Sequence, residues 1–376
     1  MKLLLKSLWR ISCTVLAVVF LFSCFSQFIP ARTIGFTVFF ALLFPYLFVL
    51  VFGAAIINIF INKKWALAFF LLLLPGLYNF FNVVAISPLS NWKMKKDTND
   101  IRIMTWNVSD FGTPAPLNQS DGTQRKQMIE TISEYNPDII CVQEYYNIEQ
   151  PHEVRSVRHE LDSIGYPYST FSGDQEYKTY FGIEQRGVAI FSKTPLLKSG
   201  RLQTRKDFKT EYMSFADILL QNKPVRIATA HLTSFYLFPD SAKGYQGKKL
   251  VAKKIFTYKQ DVEMKLLDIE ALHDEQAALI NSFLDTASYP VVYCGDCNAT
   301  STMYSYRILK GEKQDAFLKK GNGIGATFYN IAPTLRIDMC FPNSHFEVKQ
   351  CTVVQRKLGD HYPVVTDIAW KKTNQN

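Results

Sequence analysis

The stretch VVYCGDCN, residues 291–298, decides how the downstream part of the chain folds. Its first three residues are apolar and rich in β-branched or aromatic side chains, which predicts a short buried strand. Polar residues then follow at once in Asp296-Cys297-Asn298. A strand that ends in an acidic residue can present that side chain at the rim of a sheet.

Five further apolar segments end in the same way. Their terminal polar residues are Asn107, Gln143 with Glu144, His231, Asp338, and Asp360 with His361. One such residue is usually a solvated strand end, but six ends together supply metal-binding oxygens, a carboxylate base and imidazoles. They include no convincing nucleophilic Ser or Cys and no glycine-rich phosphate loop. The set therefore indicates a site that activates water.

The ordered segments resemble the motifs of one known family. They are IRIMTWN ending at Asn107, DIICVQE ending at Glu144, GVAIFSK from Gly187, TAHL around His231, VVYCGDCN, RID ending at Asp338, and GDHYPV from Gly359. Together they resemble the endonuclease/exonuclease/phosphatase family over about residues 101–370. Gly359 replaces a commoner Ser, and Cys297 fills a position often taken by Phe or Leu. Neither departure removes a group that the chemistry needs.

The resemblance implies an α/β fold, a four-layer α-β-β-α sandwich of two packed mixed sheets flanked by helices. Periodicity in this sequence predicts strands at 101–106, 138–142, 187–191, 225–230, 291–293, 336–341 and 364–368, and helices at 124–135 and 255–287. Three transmembrane helices are expected to precede this domain.

The resemblance also implies a metal-dependent phosphoesterase. Glu144 is expected to bind Mg²⁺, with Mn²⁺ possible, because hard cations prefer oxygen ligands and often take only one or two protein carboxylates. Asn107 and Asp360 are expected to complete or orient the metal shell. The metal would polarise a phosphoryl oxygen and stabilise the leaving group.

The remaining residues are expected to act on water and phosphate. Asp296 is predicted to be the general base on the attacking water, and Asn298 to hold that water or a phosphoryl oxygen. His361, oriented by Asp338, is predicted to donate to the phosphate as charge accumulates. His231 is predicted to be a second contact to the phosphate or the leaving group.

The charges divide the chain sharply. The first 96 residues contain nine Lys or Arg and no Asp or Glu. Removing these nine from the chain's 42 basic residues leaves 33, which equals the number of acidic residues, so the whole net charge of +9 lies in this first segment. The basic pI of the chain is therefore no indication of nucleic-acid binding.

The first segment predicts a membrane anchor. Residues 11–31, 33–62 and 65–92 lack any charge, and each stretch exceeds the ~20 residues that a spanning helix needs. A cleaved signal peptide is the alternative for the first stretch. The predicted domains are a membrane segment at 1–86, a linker at 87–100 with an interfacial Trp92, and a catalytic domain at 101–370.

Orientation follows from the flanking charges. Lys2, Lys6 and Arg10 favour a cytoplasmic N-terminus, which would place Lys63 and Lys64 inside and the catalytic domain on the extracytoplasmic side. Lys93, Lys95 and Lys96 after the last span oppose this orientation.

Three functions remain open from sequence. The first is hydrolysis of a phosphodiester, with nucleic acid as the substrate that the family name suggests. The second is hydrolysis of a lipid, sphingomyelin-type or inositol phosphate, favoured by the neutral catalytic domain and the membrane tether. The third, of a different class, is a non-catalytic binding module that retains the fold. No obligate protein partner is inferred, and the seven cysteines are expected to be buried thiols.

Overall fold

The computed structural model describes residues 2–88, 90–112, 122–149, 157–179, 182–205, 211–235 and 252–372. The chain forms two compact units. The first, here the helical unit, comprises Met1–Phe80, Thr233–Ala277 and Thr302–Ile308. The second, here the sheet unit, comprises Phe81–Leu232, Ala278–Ser301 and Leu309–Asn376. The predicted membrane segment thus shares a compact unit with two stretches from the predicted catalytic domain.

Three apolar helices begin the chain: α1 (Lys2–Phe25), α2 (Thr37–Ile61) and α3 (Lys63–Val83). All three are long and apolar enough to cross a membrane, as the charge-free stretches predict. Helix α3 continues through Pro75-Gly76. A side chain at Gly76 would meet the ring of Phe20 at 2.5 Å, so this glycine lets α1 approach α3 closely.

Buried amides join the three apolar helices. Trp9 Nε1 donates to Asn58 Oδ1 at 3.2 Å. Asn79 Nδ2 donates to the carbonyl oxygens of Ser23, at 3.2 Å, and Cys24, at 3.1 Å. Such interhelical hydrogen bonds stabilise association where lipid offers no competing partner.

The sheet unit contains two mixed sheets. Its strands are β1 (Ile101–Asn107), β2 (Ile139–Glu149), β3 (Tyr168–Thr179), β4 (Gly182–Ser192), β5 (Leu196–Gln203), β6 (Tyr212–Leu220), β7 (Lys223–His231), β8 (Val291–Asp296), β9 (Asp338–Pro342), β10 (Phe346–Val353) and β11 (Val364–Trp370). One sheet has the order β10-β11-β1-β2-β4-β3, and the other has the order β5-β6-β7-β8-β9. The pairs β1–β2 and β7–β8 are parallel and the rest are antiparallel.

Five more helices follow the sequence order: α4 (Thr123–Tyr135), α5 (Val157–Ser163), α6 (Ala252–Asp285), α7 (Tyr304–Lys310) and α8 (Ala316–Lys320). The predicted helices at 124–135 and 255–287 correspond to α4 and α6. The last residues of α6 bring Phe283 to Phe215 of β6, with ring centroids 5.2 Å apart. Two mixed sheets flanked by helices confirm the predicted fold class.

Strand β1 shows why the central strands are apolar on both faces. On one face Ile103 joins a buried cluster with Ile227 of the other sheet. On the other face Trp106 joins a cluster with Met128 of α4. A strand covered on both sides reads as a continuous apolar run, and burial of such side chains is the main stabilising term.

Candidate active site

Strand register aligns the polar ends within each sheet. In the five-stranded sheet His231 lies beside Asp296, and Asp296 lies beside Asp338, at one rung across β7, β8 and β9. In the six-stranded sheet Asn107 of β1 lies beside Gln143 of β2. The separate strand ends of the sequence therefore become two short rows of polar side chains.

Gln143 links the two rows. Its Nε2 donates to Thr105 Oγ1 at 3.1 Å and to Thr229 Oγ1 of the other sheet at 2.8 Å. The side chain is fully buried, so these bonds form away from competing water. Gln143 therefore fixes the spacing between the sheets just below the site.

Two site residues occupy the left-handed region of backbone conformation. Glu144 has φ 50°, where the pairing of β2 with β4 is irregular between Val142 and Tyr145. Asn298 has φ 44°, two residues after the end of β8. Non-glycine residues pay a conformational cost there, and such residues cluster at functional sites because the surrounding structure holds them.

Asp296 is the buried centre of the cluster, with 1% of its surface exposed. Its Oδ1 accepts from the Asn298 amide N at 2.9 Å. Its Oδ2 accepts from Asn107 Nδ2 at 3.1 Å and faces His231 Nε2 at 3.5 Å and His361 Nε2 at 3.7 Å. All these neighbours are donors or possible donors, so they hold the carboxyl group of Asp296 in one orientation.

His361 is held by a second carboxylate. Its Nδ1 lies 2.8 Å from Asp338 Oδ2, and the Asp338 amide N donates to Thr327 Oγ1 at 3.1 Å. Burial alone would lower the pKa of His361, but the carboxylates of Asp338 and Asp296 outweigh it and raise that pKa to about 10. Burial raises the pKa of Asp338, and His361 opposes this shift. The imidazole is therefore charged at neutral pH, with Nδ1 towards Asp338 and Nε2 towards Asp296.

Glu144 lies at the mouth of the site, with 37% of its side chain exposed. Its Oε1 accepts from Asn107 Nδ2 at 3.0 Å and lies 3.8 Å from His231 Nε2. The Asn107 oxygen is turned away and accepts from the Ser109 amide N at 3.1 Å. As placed, Asn107 orients the two carboxylates of Glu144 and Asp296.

Asp360 brings a further carboxylate near this mouth. Burial raises its pKa, and the nearby charges of His361, Glu144 and Asp296 also act on it. Its Oδ1 is buried and has no hydrogen-bond partner in the described part of the chain. An unsatisfied buried carboxylate oxygen near Glu144 fits the ligand set of a divalent cation, and an all-oxygen donor pair suits Mg²⁺ or Mn²⁺.

The group Asp296, Asp338 and His361 also offers atoms close enough to hold a metal, within 4.8 Å of one another. In this group, however, His361 Nδ1 already bonds to Asp338 and both Asp296 oxygens already face donors. These contacts suit a group that transfers protons better than a set of metal ligands.

The side chain of Asn298 is partly committed. Its Nδ2 donates to the Leu232 carbonyl at 2.8 Å, one residue after His231. This bond ties the end of β8 to the end of β7 and leaves the amide oxygen of Asn298 for other contacts. The structure thus gathers the predicted site residues, with Asn107 and Asn298 also fixing their neighbours.

Two acidic residues near the site, Asp174 and Asp110, were not predicted from the sequence. Asp174 lies where the pairing of β3 with β4 shifts register, and burial raises its pKa to about 7 while the nearby charge of His231 opposes this shift. Asp110 has φ 58° and pairs with Arg186 at 2.5 Å. Both depend on contacts between distant segments, which local patterns do not reveal.

Comparisons with known proteins indicate the same family that the sequence motifs resemble. A model of the Endonuclease/Exonuclease/phosphatase family matches residues 104–361, and a model described as a domain of unknown function matches residues 5–84. No curated protein matches the chain.

Solved structures share the fold at low sequence identity. An endonuclease/exonuclease/phosphatase from Beutenbergia cavernae is 17% identical with a TM-score of 0.51, over 72% of each chain. The human Nocturnin catalytic domain is 17% identical with a TM-score of 0.53, over 73% of this chain and 94% of that one. A family protein from Bacteroides thetaiotaomicron is 16% identical with a TM-score of 0.50, over 74% and 100%.

The matched model covers more than half of the chain, from β1 to His361, and includes every strand that contributes to the site. Members of this family are hydrolases that act on phosphoester bonds and generally use a divalent metal. The chain belongs to the endonuclease/exonuclease/phosphatase family.

Proposed function

We propose that this protein is a membrane-anchored, divalent-metal-dependent hydrolase of a phosphodiester. The observation that supports this most directly is the meeting of Asp296, His361 and Asp338 beside the exposed carboxylate of Glu144. A buried base, a charged imidazole and a metal-binding mouth are the groups that water attack on a phosphate needs.

Asp296 acts as the general base in this proposal. It accepts a proton from the attacking water as the water oxygen bonds to phosphorus. The bond from phosphorus to the leaving oxygen breaks, and that oxygen keeps the electron pair. The Asn298 amide and Asn107 Nδ2 hold the carboxylate of Asp296 in one orientation, so it loses little freedom when the water binds.

His361 and His231 face the developing charge. His361 is charged at neutral pH because of Asp338 and Asp296, and it donates from Nε2 to a phosphoryl oxygen. Asp338 fixes the ring by accepting from Nδ1. His231, near both Glu144 and Asp296, supplies a second contact to the phosphate or the leaving oxygen.

Glu144 and Asp360 would hold the metal, and Asn107 would orient Glu144. Mg²⁺ is the expected ion and Mn²⁺ can replace it, because both accept oxygen ligands. When bound, a divalent ion supplies positive charge beside the phosphoryl group and the leaving oxygen.

A lipid-side phosphoester is the second candidate substrate. Residues 97–376 have equal numbers of basic and acidic residues, whereas binding to a nucleic-acid backbone relies on many Lys and Arg contacts. The three apolar helices would also hold the site near lipid headgroups. Sphingomyelin and inositol phosphates therefore belong in the same screen as DNA and RNA.

The full chain, purified in detergent, tests the proposal, because residues 233–277 share a compact unit with the apolar helices. We expect Mg²⁺- or Mn²⁺-dependent cleavage of bis-p-nitrophenyl phosphate, loss of activity with EDTA, and about a thousandfold loss in Asp296→Ala. Activity that survives both changes would overturn the mechanism. Metal binding without activity on any phosphoester would favour a binding module.

We also propose that the sheet unit faces the extracytoplasmic side. Within the helical unit, the Ala31 amide N donates to Asp274 Oδ2 at 2.8 Å, and Arg32 pairs with Glu275. These contacts support a connection between α1 and α2 on the same side of the membrane as α6. Lys63 and Lys64 then lie on the opposite side with the N-terminus.

A further inference from the structure

A basic cleft lies where the chain leaves the last apolar helix. It has a volume of about 530 Å³ and is part of the sheet unit. Five lysines line it: Lys93, Lys95, Lys319, Lys320 and Lys349. Two acidic residues, Asp97 and Asp100, also line it, which leaves the cleft with a formal charge of +3.

Most of these lysines have no internal counter-ion. Lys349 pairs with Glu347 at 3.2 Å. Among the residues that the structure describes, Lys93, Lys95, Lys319 and Lys320 have no ion pair. Lys319 and Lys320 form the last turn of α8, where cations also meet the negative end of the helix dipole. The cleft therefore presents uncompensated positive charge to solvent.

The juxtamembrane chain is fixed against the sheet unit. The Lys93 amide N donates to Gln350 Oε1 at 2.9 Å, and Gln350 Nε2 donates back to Lys93 O at 3.0 Å. The Arg102 guanidinium lies over the Trp92 ring at 4.8 Å. Trp92 also packs on Tyr135, with ring centroids 5.9 Å apart, so it supports the docked linker. This rigid backbone holds Lys93 and Lys95 opposite α8.

The same fixation keeps the cleft close to the end of α3. Arg336 Nη2 donates to Asn82 O at 3.2 Å, and Ala85 pairs with Gly323. Ser87, the first lining residue, follows Val83 by only four positions, so this end of the cleft lies within about 14 Å of the helix end. The headgroup layer of a bilayer is on the order of 5–8 Å thick on each side. A helix that ends at the hydrocarbon boundary therefore keeps this end of the cleft in or just beyond the headgroup layer.

We propose that this cleft binds the phosphate-bearing headgroup of an anionic phospholipid. Its charge is complementary to that headgroup, its volume accommodates one, and its tether holds it at the membrane surface. The proposal rests on the membrane insertion proposed above but is independent of the hydrolytic chemistry. Headgroup binding would give the sheet unit a second attachment to the bilayer besides α3.

Lipid binding to the full chain in neutral detergent tests this. Short-chain phosphatidylglycerol is titrated against short-chain phosphatidylcholine, with inorganic phosphate and a single-stranded oligonucleotide as further probes. The test variant changes Lys93, Lys95, Lys319 and Lys320 to Gln. The control variant changes four exposed lysines outside the cleft, Lys126, Lys198, Lys371 and Lys372, to Gln and so has the same net charge.

We expect wild type and control to bind phosphatidylglycerol in preference to phosphatidylcholine. A lysine near an anionic surface contributes about fivefold in affinity, so the cleft variant should lose at least about tenfold even with partial compensation. Raising NaCl from about 50 to about 500 mM should weaken wild-type binding, which checks the electrostatic origin without any substitution.

Several results would overturn the proposal. Equal losses in the two variants would show a general charge effect. Inorganic phosphate that binds as tightly as phosphatidylglycerol would identify a soluble anion as the occupant, and preferential binding of the oligonucleotide would identify a nucleic acid. Thermal unfolding and cleavage of bis-p-nitrophenyl phosphate should match wild type in both variants. Lack of cleavage in all three proteins would count against the proposed hydrolase alone.

Discussion

Gly295 lies one residue before Asp296, where β8 runs beside β7. A Cβ at this position would lie 2.2 Å from the Ala230 carbonyl oxygen, which is part of the backbone and has little freedom to move. The glycine of the GDCN segment therefore has a steric reason: only a residue without a side chain lets β8 bring Asp296 beside His231.

Gly295→Ala should destabilise the fold by about 2 kcal/mol or more, because a backbone clash must be relieved by displacing a strand. The displaced strand also moves Asp296, so activity should fall with stability. Thermal unfolding and cleavage of bis-p-nitrophenyl phosphate measure both effects.

Gly359 supplies a matched control for that substitution. No atom lies within 4 Å of a Cβ built there. Gly359→Ala should therefore leave unfolding and activity close to wild type, although it immediately precedes Asp360. A large loss in Gly359→Ala, or none in Gly295→Ala, would contradict the steric argument.

Asp338 offers a second residue-level prediction. Asp338→Asn keeps the shape but removes the charge that holds and charges His361. We expect kcat to fall about a hundredfold with little change in KM, because the imidazole contributes mainly as phosphate charge develops. Asp162→Asn, at an exposed position on α5, is the control. A variant with wild-type kcat would remove Asp338 from the mechanism.

At the scale of single elements, α6 contains a buried charged pair in the helical unit. His273 has none of its surface exposed, and its ring nitrogens lie 3.2 Å from Glu270 Oε2 and 2.6 Å from the Thr233 carbonyl. The Thr233 carbonyl accepts from one ring nitrogen, and with Glu270 ionised its carboxylate accepts from the other, so the ring then carries a proton on both nitrogens. Ser305 Oγ donates to the other Glu270 oxygen at 3.1 Å.

His273→Leu should destabilise the protein by about 3 kcal/mol, because it leaves Glu270 buried without its counter-charge. Thermal unfolding of the full chain in detergent measures this. His159→Leu, on the exposed face of α5, provides the control. Unchanged stability in His273→Leu would show that Glu270 is compensated elsewhere.

The stability of this region should also depend on pH. Burial alone would lower the pKa of His273, but Glu270 outweighs burial and raises it above 6.5, and burial raises the pKa of neighbouring Asp274 to about 7. Both groups bind protons more tightly in the folded state, so stability falls as pH rises, from 3.8 to about 7 for Asp274 and above 6.5 for His273. Unfolding temperatures measured against pH should fall over that range, and His273→Leu should reduce the slope.

The strands that were predicted from the sequence differ in composition from those that were not. Strand β1 is buried on both faces and reads as an apolar run ending in Asn107, so its position follows from composition. Strand β6 was not predicted, because it contains a buried Asp217 that pairs with Arg226 on β7 at 2.8 Å. A charged residue inside a strand can be explained only when the residue that pairs with it on the neighbouring strand is known.

The same distinction holds for the candidate site. Its residue types were predicted from strand ends, since chemistry and spacing are visible in the sequence. The rotamer of Asn107, the bond from Asn298 to Leu232 and the position of Asp174 at a register shift were not. Each of these depends on contacts between segments far apart in the chain, which set side-chain direction but leave no local pattern.

For the whole molecule, the division of charge leads to a prediction about membrane topology. Lys and Arg in short segments that flank a membrane span are retained in the cytoplasm. If the three helices span a membrane, one side carries Lys2, Lys6, Arg10, Lys63 and Lys64. Lys93 and Lys95 lie on the opposite side in this orientation and argue against it. Their proposed role in binding a phospholipid headgroup in the basic cleft would account for their presence there.

Cysteine labelling of intact cells or spheroplasts tests this topology, because all seven native cysteines are buried and should react little. Lys372→Cys places an exposed thiol at the end of the sheet unit, and Lys64→Cys places one in the first turn of α3. A membrane-impermeant maleimide should label Lys372→Cys in intact cells and Lys64→Cys only after lysis. The reverse pattern would place the catalytic residues in the cytoplasm. The cleft would then bind anionic phospholipid of the cytoplasmic leaflet.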